Sequence, residues 1–295
     1  MRIGDNMKIF IYPNLGKTNC KQYVIDACNI LNNLGCEIFL SNEYKNVFSS
    51  IDKAVFLTEN ECMQLCDTVV AVGGDGTILK CAKECSEYKK PILGINCGRL
   101  GFMASLEHTQ IDKLERLVKG EFKKSRRMLI SAVINENQLC FQALNDVVIS
   151  KSDNCKIADF EVCRNGQLVS SLRADGIIFS TATGASAYSM SAGGPIIEPD
   201  MECIEFTQIC PHSLFARTMI FSAESLITAR CHTVGDVCTN VVVDGNQVYK
   251  MTQNDTITIK KSDKFIDIID INGDSFFTSV NQKLMQPLKE FPKMQ

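Results

Sequence analysis

The stretch Asp67–Lys80, DTVVAVGGDGTILK, holds the residues with the clearest chemical meaning in this chain. A short β-rich apolar run, Thr68–Val72, leads straight into Gly73–Gly74–Asp75–Gly76–Thr77. Ile78 then opens a helical pattern with Leu79, Ala82 and Cys85 on one side. A buried strand that ends in glycines opening a helix lets backbone N–H groups approach an anion closely. Asp75 is the odd member. Among glycines that favour phosphate, a carboxylate is electrostatically misplaced unless it binds a metal or takes a proton. That conflict points to phosphoryl transfer onto a hydroxyl, with Asp75 as the base. The plain alternative is an ordinary βα turn with Asp75 as helix N-cap.

Three further polar clusters interrupt apolar patterns in the second half. Asn145–Asp146 sits within the strand-like ALNDVVIS, where adjacent residues face opposite sides, so one of the pair is buried or lies at a sheet end. Arg173 and Asp175 are two apart ahead of the apolar run Ile177–Phe179, as a structural ion pair or as a ligand clamp. Ser180–Pro195, STATGASAYSMSAGGP, is almost entirely small, hydroxylated or glycine. Such a run can bury backbone against a flat ligand and offer hydroxyls, and Tyr188 can stack on an aromatic ring. A hinge loop shares this composition; the absence of acids between Asp175 and Glu198 and the closing double glycine favour a binding loop.

The elements that must position these residues follow from periodicity. Lys8–Tyr12 reads as the first strand, and Val24, Ala27, Cys28, Leu31 and Leu34 recur at helical spacing up to Gly35. Gly16–Lys17–Thr18 is not a P-loop, because Ile11 stands where that motif needs glycine. Glu37–Leu40 is a second strand, Asn42–Cys66 is weakly patterned with room for a loop and a short helix, and Pro91–Asn96 is another strand. It leads into the glycine loop Cys97–Met103, and Ile111, Leu114, Leu117 and Val118 make a short helix ended by Gly120. Alternating strands and helices predict an open, largely parallel α/β sheet, with ligands beyond the carboxyl ends of its strands. Glu121–Arg127 (EFKKSRR) reads as a solvated linker.

Beyond it the helical period disappears. Leu129–Asn135, Leu139–Ser150, Thr256–Lys260 and Phe265–Ile271 read as strands. Asn165–Gly166 marks a two-residue hairpin turn, and Asp244–Gly245–Asn246 a turn of three. The expected organisation is an α/β domain over 1–125 and a β-rich domain over 126–271. Phe276–Leu288 is a candidate helix, and the segment 272–295 is expected to pack back on the first domain.

Composition excludes several classes. The 295 residues are 45% hydrophobic and 22% charged, with a net charge of −3, so no electrostatic footprint for nucleic acid or an anionic membrane stands out. No apolar run is long enough to span a membrane, and the N-terminus resembles a first strand rather than a signal peptide, which gives a cytoplasmic expectation. The 15 cysteines are scattered with no Cys-x-x-Cys pair; Cys62/Cys66 and Cys81/Cys85 read as small buried hydrophobes in a reducing compartment. His108, His212 and His232 lack ligand spacing.

Taken together, these motifs resemble the NAD kinases. GGDGT alone is shared with diacylglycerol and sphingosine kinases and with phosphofructokinases. The choice is resolved by Gly98–Phe102 (GRLGF), Leu144–Asp146 (LND), Asp175–Pro195, Pro211–Arg217 (PHSLFAR) and Asp244–Gln247 (DGNQ), in order along residues 8–285.

The resemblance implies a two-domain fold, an α/β N-terminal domain with a mostly parallel sheet and a β-rich C-terminal domain, with NAD bound between them. It implies transfer of the ATP γ-phosphoryl to the adenosine ribose 2′-hydroxyl of NAD, giving NADP, with Mg²⁺ or another divalent cation carried mainly by ATP. Asp75 is then the general base, and Gly73, Gly74, Gly76 and Thr77 hold the ATP phosphates. Asn145, Asp146, Asp175, Ser186, Ala187 and Tyr188 surround NAD, with Asp75, Gly76, Phe102, Ser189 and Met190 beside them. Arg173, Ser191 and Gln247 are further carry-overs, and Lys80, Lys156 and Cys210 occupy positions that contact ligand in some relatives. Ala182, Ala185 and Ser186 depart from the family's usual Pro, Ser and Thr. The resemblance also suggests a homodimer or homotetramer. The competing readings are a lipid kinase of the diacylglycerol or sphingosine type and a non-catalytic NAD(P)-binding sensor.

Overall fold

Five short parallel strands build the first part of the chain because each is a β-rich apolar run that meets helices on both faces. The computed structural model describes residues 6–98, 101–136, 139–152, 157–213, 215–232, 239–273, 276 and 279–281. Two compact units are present, Met1–Ser125 with Asp267–Gln295, and Arg126–Ile266.

The first unit contains β1 (Lys8–Pro13), α1 (Cys20–Asn33), β2 (Glu37–Ser41), α2 (Lys45–Phe48), β3 (Val55–Leu57), α3 (Glu59–Leu65), β4 (Thr68–Gly73), α4 (Asp75–Glu87), β5 (Ile92–Asn96), β6 (Leu106–Glu107) and α5 (Leu114–Lys119). The strands run parallel in the order β3-β2-β1-β4-β5, with β6 added to β5. Ile9, Ile11, Val70, Val72, Leu93 and Ile95 from these strands pack against Val24, Ala27 and Leu31 of α1. Helix α1 stops as expected, since Gly35 takes φ 79°, where a side chain is disfavoured. The weakly patterned stretch holds more structure than its composition suggests. Thr58 and Glu61 form a reciprocal capping box that starts α3, and β3 pairs with β2.

The second unit contains β7 (Lys123–Ile134), β8 (Leu139–Ala143), β9 (Asp146–Lys151), β10 (Ala158–Arg164), β11 (Gln167–Ala174), β12 (Gly176–Ser180), α6 (Tyr188–Ser191), β13 (Cys203–Ile209), β14 (Met219–Ser222), β15 (Ile227–His232), β16 (Thr239–Val243), β17 (Asn246–Met251) and β18 (Thr256–Asp270). The last residues of β18 belong to the first unit, where Ile268 pairs in parallel with Ile92. A six-stranded antiparallel sheet, β14-β13-β12-β9-β16-β17, carries or borders Asn145–Asp146, Asp175 and the small-residue loop, while Arg173 lies on β11 outside it. Its inward side chains, including Val147, Ile149, Ile177, Phe179, Ile204, Phe206 and Val241, form the core, with Phe179 and Phe206 stacked at 5.4 Å.

Three local expectations need correction. Residues 123–127 are not a linker but the start of β7, with Lys123, Lys124 and Arg126 still exposed. Arg126 stacks over the Phe265 ring at 3.8 Å, and Arg127 is buried 4.0 Å from Asp200. Lysine and arginine stems cover apolar surface, which a count of charges does not register. The turn after β16 has two residues, not three: Asp244 and Gly245 take φ 47° and 80°, and Asn246 already pairs with Val243. Thr256–Lys260 and Phe265–Asp270 are parts of one long strand, β18, rather than two, and Ile271 lies just beyond it. The Asn165–Gly166 turn is as expected, with φ 50° and 80°. Of the candidate C-terminal helix, Phe276 and residues 279–281 are helical, and the remainder lies outside the described residues.

Candidate active site

In the first unit the glycine loop is built around one carboxylate. Strand β4 ends at Gly73, whose Cα lies so close to Thr77 that a Cβ would sit 2.1 Å from its hydroxyl. Thr77 is buried, and its Oγ1 accepts from Asn14 Nδ2 at 3.1 Å. Helix α4 starts at Asp75 and not at Ile78, with Gly74 in the capping position, so Asp75 is not the N-cap. Its side chain turns away from its own helix. Oδ2 accepts the Phe102 N–H at 2.6 Å, and Oδ1 accepts those of Met103 at 3.0 Å and Ala104 at 3.3 Å.

Those three donors resolve the conflict seen in the sequence. The carboxylate is held by a second loop's amides; at the start of α4 the Thr77 N–H closes on the Gly74 carbonyl at 2.8 Å, and the N–H groups ahead of it, those of Asp75 and Gly76, suit an anion. Gly101 permits this approach, since a Cβ there would lie 2.0 Å from Asp75 Oδ1. Gly76 is exposed with open space around it, and Lys80 is exposed one turn further along α4. Phe102 sits 6.1 Å from the Phe276 ring.

The second unit holds its residues in two groups at opposite ends of β12. One end carries Asn145, Asp146 and the small-residue loop. Leu144 and Asn145 lie in the break between β8 and β9, as the sheet-end reading requires. Asp244 fixes this break: Oδ2 accepts the Leu144 N–H at 2.8 Å, and Oδ1 those of Asn145 at 2.8 Å and Asp146 at 3.1 Å. From the other side the Asn145 carbonyl accepts the Thr181 N–H at 2.9 Å, and Gly184 packs so closely that a Cβ would lie 2.0 Å from it. Asp146 is buried, and burial first, then the Asp244 carboxylate, push its pKa up to about 7.

The loop then forms a single turn, Gly184–Ser186, and the short helix α6. Tyr188 is 46% exposed, Ser186, Ala187 and Met190 are partly buried, and Ser191 is exposed. Ser189 is fully buried and donates to Glu205 Oε1 at 2.8 Å. Ala182 and Ala185, two of the departures, lie in a small apolar cluster with Ile197 and Cys203, where methyl groups pack and a hydroxyl would need a partner. Gln247 is exposed on β17, one residue after the Asp244–Gly245 turn ends in Asn246.

The other end of β12 carries Arg173, Asp175 and Cys210. Five strand residues at about 3.3 Å each put it roughly 16 Å from Ser180. Arg173 and Asp175 do not pair with each other. Arg173 makes a two-pronged contact with Asp159 at 2.7 and 3.1 Å, and Asp175 meets Lys151 Nζ at 2.6 Å. Cys210 is exposed with φ 46°. Lys156 lies outside the described residues. Cys62, Cys66, Cys81 and Cys85 are buried, and desolvation pushes the Cys62 thiol up to about 11 and that of Cys66 to about 12.

Sequence reasoning missed Asp244 and Glu205 as functional candidates. Asp244 was hidden in a turn signal, where Asp is expected for local reasons. Glu205 did leave a signal, since Glu205 and Thr207 place polar groups on one face of the apolar run CIEFTQI.

Residues 21–122 match the ATP-NAD kinase N-terminal domain family, and residues 144–271 the ATP-NAD kinase C-terminal domain family. The chain belongs to the NAD kinase family. It is 34% identical over 283 residues to the NAD kinase of Caldanaerobacter subterraneus subsp. tengcongensis, covering 95% of this chain and 99% of that one. It is 32% identical over 278 residues to the NAD kinase of Natranaerobius thermophilus, covering 93% and 96%. Among solved structures, the NAD kinase of Archaeoglobus fulgidus in complex with ATP superposes with a TM-score of 0.72 at 25% identity, covering 95% of this chain and 98% of that one. Yeast NADH kinase complexed with NADH shares the fold at a TM-score of 0.83 and 20% identity, covering 99% and 91%. The NAD kinase two-domain fold and phosphotransferase activity are therefore those of this chain, and the lipid-kinase and sensor readings gain no support.

Proposed function

We propose that this chain transfers the ATP γ-phosphoryl to the adenosine ribose 2′-hydroxyl of NAD with Asp75 as general base. The observation that carries this reading is the Asp75 carboxylate, held by three backbone N–H groups at the N-terminus of α4. A carboxylate has about four lone-pair sites, so three donors leave one for a hydroxyl. The donors fix its orientation. That suits phosphoryl transfer through a loose transition state, where the hydroxyl proton leaves late and positioning supplies most of the rate.

In this reading Gly73, Gly74, Gly76 and the buried Thr77 shape the loop that receives the ATP phosphates on the N–H groups of α4. Asn145, Asp146, Ser186, Ala187, Tyr188, Ser189, Met190, Ser191 and Gln247 serve the dinucleotide, Phe102 and Gly76 line its approach to Asp75, and Arg173 and Asp175 serve a separate part of it. Lys80, Cys210 and Lys156 are peripheral contacts. Among the described residues no group of three or more His, Cys, Asp or Glu side chains is placed to hold a metal ion. The divalent cation enters as part of the Mg–ATP substrate. No helix of the described residues is long and apolar enough to cross a membrane. A cytoplasmic homodimer or homotetramer completes the proposal, which fractionation and light scattering of the purified chain would test.

The deciding experiment incubates the chain with Mg–ATP and NAD and reads the product with an NADP-specific dehydrogenase, with diacylglycerol in parallel. NADP formation, with no phosphorylated lipid, is expected. NAD binding without NADP would overturn the reading.

A further inference from the structure

Glu205 is fully buried on β13, and its carboxyl oxygens meet hydroxyl groups of Ser180, Ser189 and Thr207. A buried carboxylate is costly unless its oxygens are satisfied, so what satisfies it is informative. Oε2 accepts Ser180 Oγ at 2.9 Å. Oε1 accepts Ser189 Oγ at 2.8 Å and Thr207 Oγ1 at 3.1 Å. Thr207 in turn meets Ser189 Oγ at 2.7 Å and Thr218 Oγ1 at 3.1 Å. Register explains the assembly. Ser180 lies directly opposite Glu205 on one side and Asp146 on the other, so the three share a face of the sheet. Thr207 is two residues along the same strand and faces the same way.

Ser180 is the last residue before the small-residue loop, and Ser189 lies within α6, next to Tyr188. One carboxylate thus ties together both ends of the segment Thr181–Tyr188. The loop closes over it so tightly that a Cβ on Gly194 would lie 2.3 Å from Glu205 Oε1. Drawing Ser189 inward fixes the rotation of a helix only four residues long, and its neighbour Tyr188 is thereby turned outward. A helix that short does not hold itself.

We infer that Glu205 is a positioning residue for the dinucleotide, holding Tyr188 in its ligand-facing orientation through Ser180 and Ser189. The inference rests on the reading that this loop binds NAD. It differs from a general stabilising role by acting on NAD and not on ATP.

The test measures KM for NAD, KM for ATP and kcat in Glu205→Leu, Glu205→Gln, Thr207→Val and Tyr188→Ala. Glu205→Leu is expected to raise KM for NAD at least about tenfold, with KM for ATP and kcat at saturating NAD within about twofold. Glu205→Gln keeps an acceptor for Ser189 and is expected to restore KM to within about threefold of wild type. Thr207→Val, which removes one donor to Glu205 and the hydroxyl that meets Ser189, is expected to raise KM for NAD about threefold and covers the case in which Glu205→Leu does not fold. An unchanged KM for NAD in a folded Glu205→Leu protein, or in Thr207→Val if the former does not fold, overturns the inference, as do equal rises for both substrates. Tyr188→Ala separates the two layers: if it leaves KM for NAD unchanged, the loop reading itself falls.

Discussion

Asp75 and Asp244 use the same device to different ends. Each accepts three consecutive backbone N–H groups, those of residues 102–104 and of residues 144–146. Around Asp244 everything is paired. Its own N–H returns to the Asp146 carbonyl at 3.0 Å, its strand is registered with Val147 opposite Val243, and Thr181 and Gly184 close the far side of Asn145. Around Asp75 the donors come from an irregular loop between β5 and β6, and the carboxylate stands beside an exposed glycine at a helix N-terminus. A carboxylate bonded to a run of amides shapes backbone in both places. Only the one whose partners lack a sheet behind them, and whose surroundings are open, is fitted to trade a contact with substrate.

Asp75→Asn gives the largest effect expected from that contrast. The kcat should fall by roughly 10²–10⁴, the usual worth of a general base, while calorimetry shows a folded protein that has lost about 1 kcal/mol. Turnover within threefold of wild type would remove Asp75 from the chemistry. Asp244→Ala should do the reverse, costing about 3 kcal/mol in urea unfolding because three amides lose a shared acceptor, with KM for NAD raised more than kcat is lowered. An unchanged unfolding midpoint would dissolve the comparison.

Gly101→Ala sharpens it further. Its Cβ would fall on Asp75 Oδ1, a movable side-chain atom, so the loop adjusts and the base is displaced. Roughly tenfold lower kcat is expected, with stability changed by less than about 1 kcal/mol. A stability loss larger than the catalytic loss would show that the loop, too, is structural.

The smallest effect concerns Asp146, whose pKa burial and the neighbouring Asp244 raise from 3.8 to about 7. Between about pH 4 and pH 7 the folded chain keeps a proton that the unfolded chain has released. Stability therefore falls as pH rises through that window, and the penalty is complete above it. Asp146→Asn cannot ionise, so its stability should not fall across this window, and its difference from wild type should shift in the variant's favour between about pH 4 and pH 8, from a starting offset set by the cost of burying its amide. Parallel stability curves across this range would refute the assignment.

Glycines, short apolar runs and local period made much of this molecule readable in advance. The largely parallel sheet of the first unit, the Asn165–Gly166 hairpin, the stop at Gly35 and the GGDGT unit all rest on signals carried by residues within a few positions of one another. So do the motifs that carry the family. The start of β7 was misread because its arginines cover an aromatic ring and meet a distant aspartate, which the string EFKKSRR does not reveal.

What the sequence alone determined was which residues have unusual chemistry: Asp75 among glycines, the Asn145–Asp146 pair, and the loop around Tyr188. What only the tertiary structure decided was who answers their charges and unpaired groups. The amides that hold Asp75 lie 27 to 29 residues away, and those that hold Asp244 lie 98 to 100 away. Ser180 and Ser189 meet in Glu205 across 25 and 16 residues. Backbone N–H groups and small hydroxyls look alike in every loop, and a buried carboxylate must find several of them. Strand register and chain crossing, not composition, set which ones come within 3 Å.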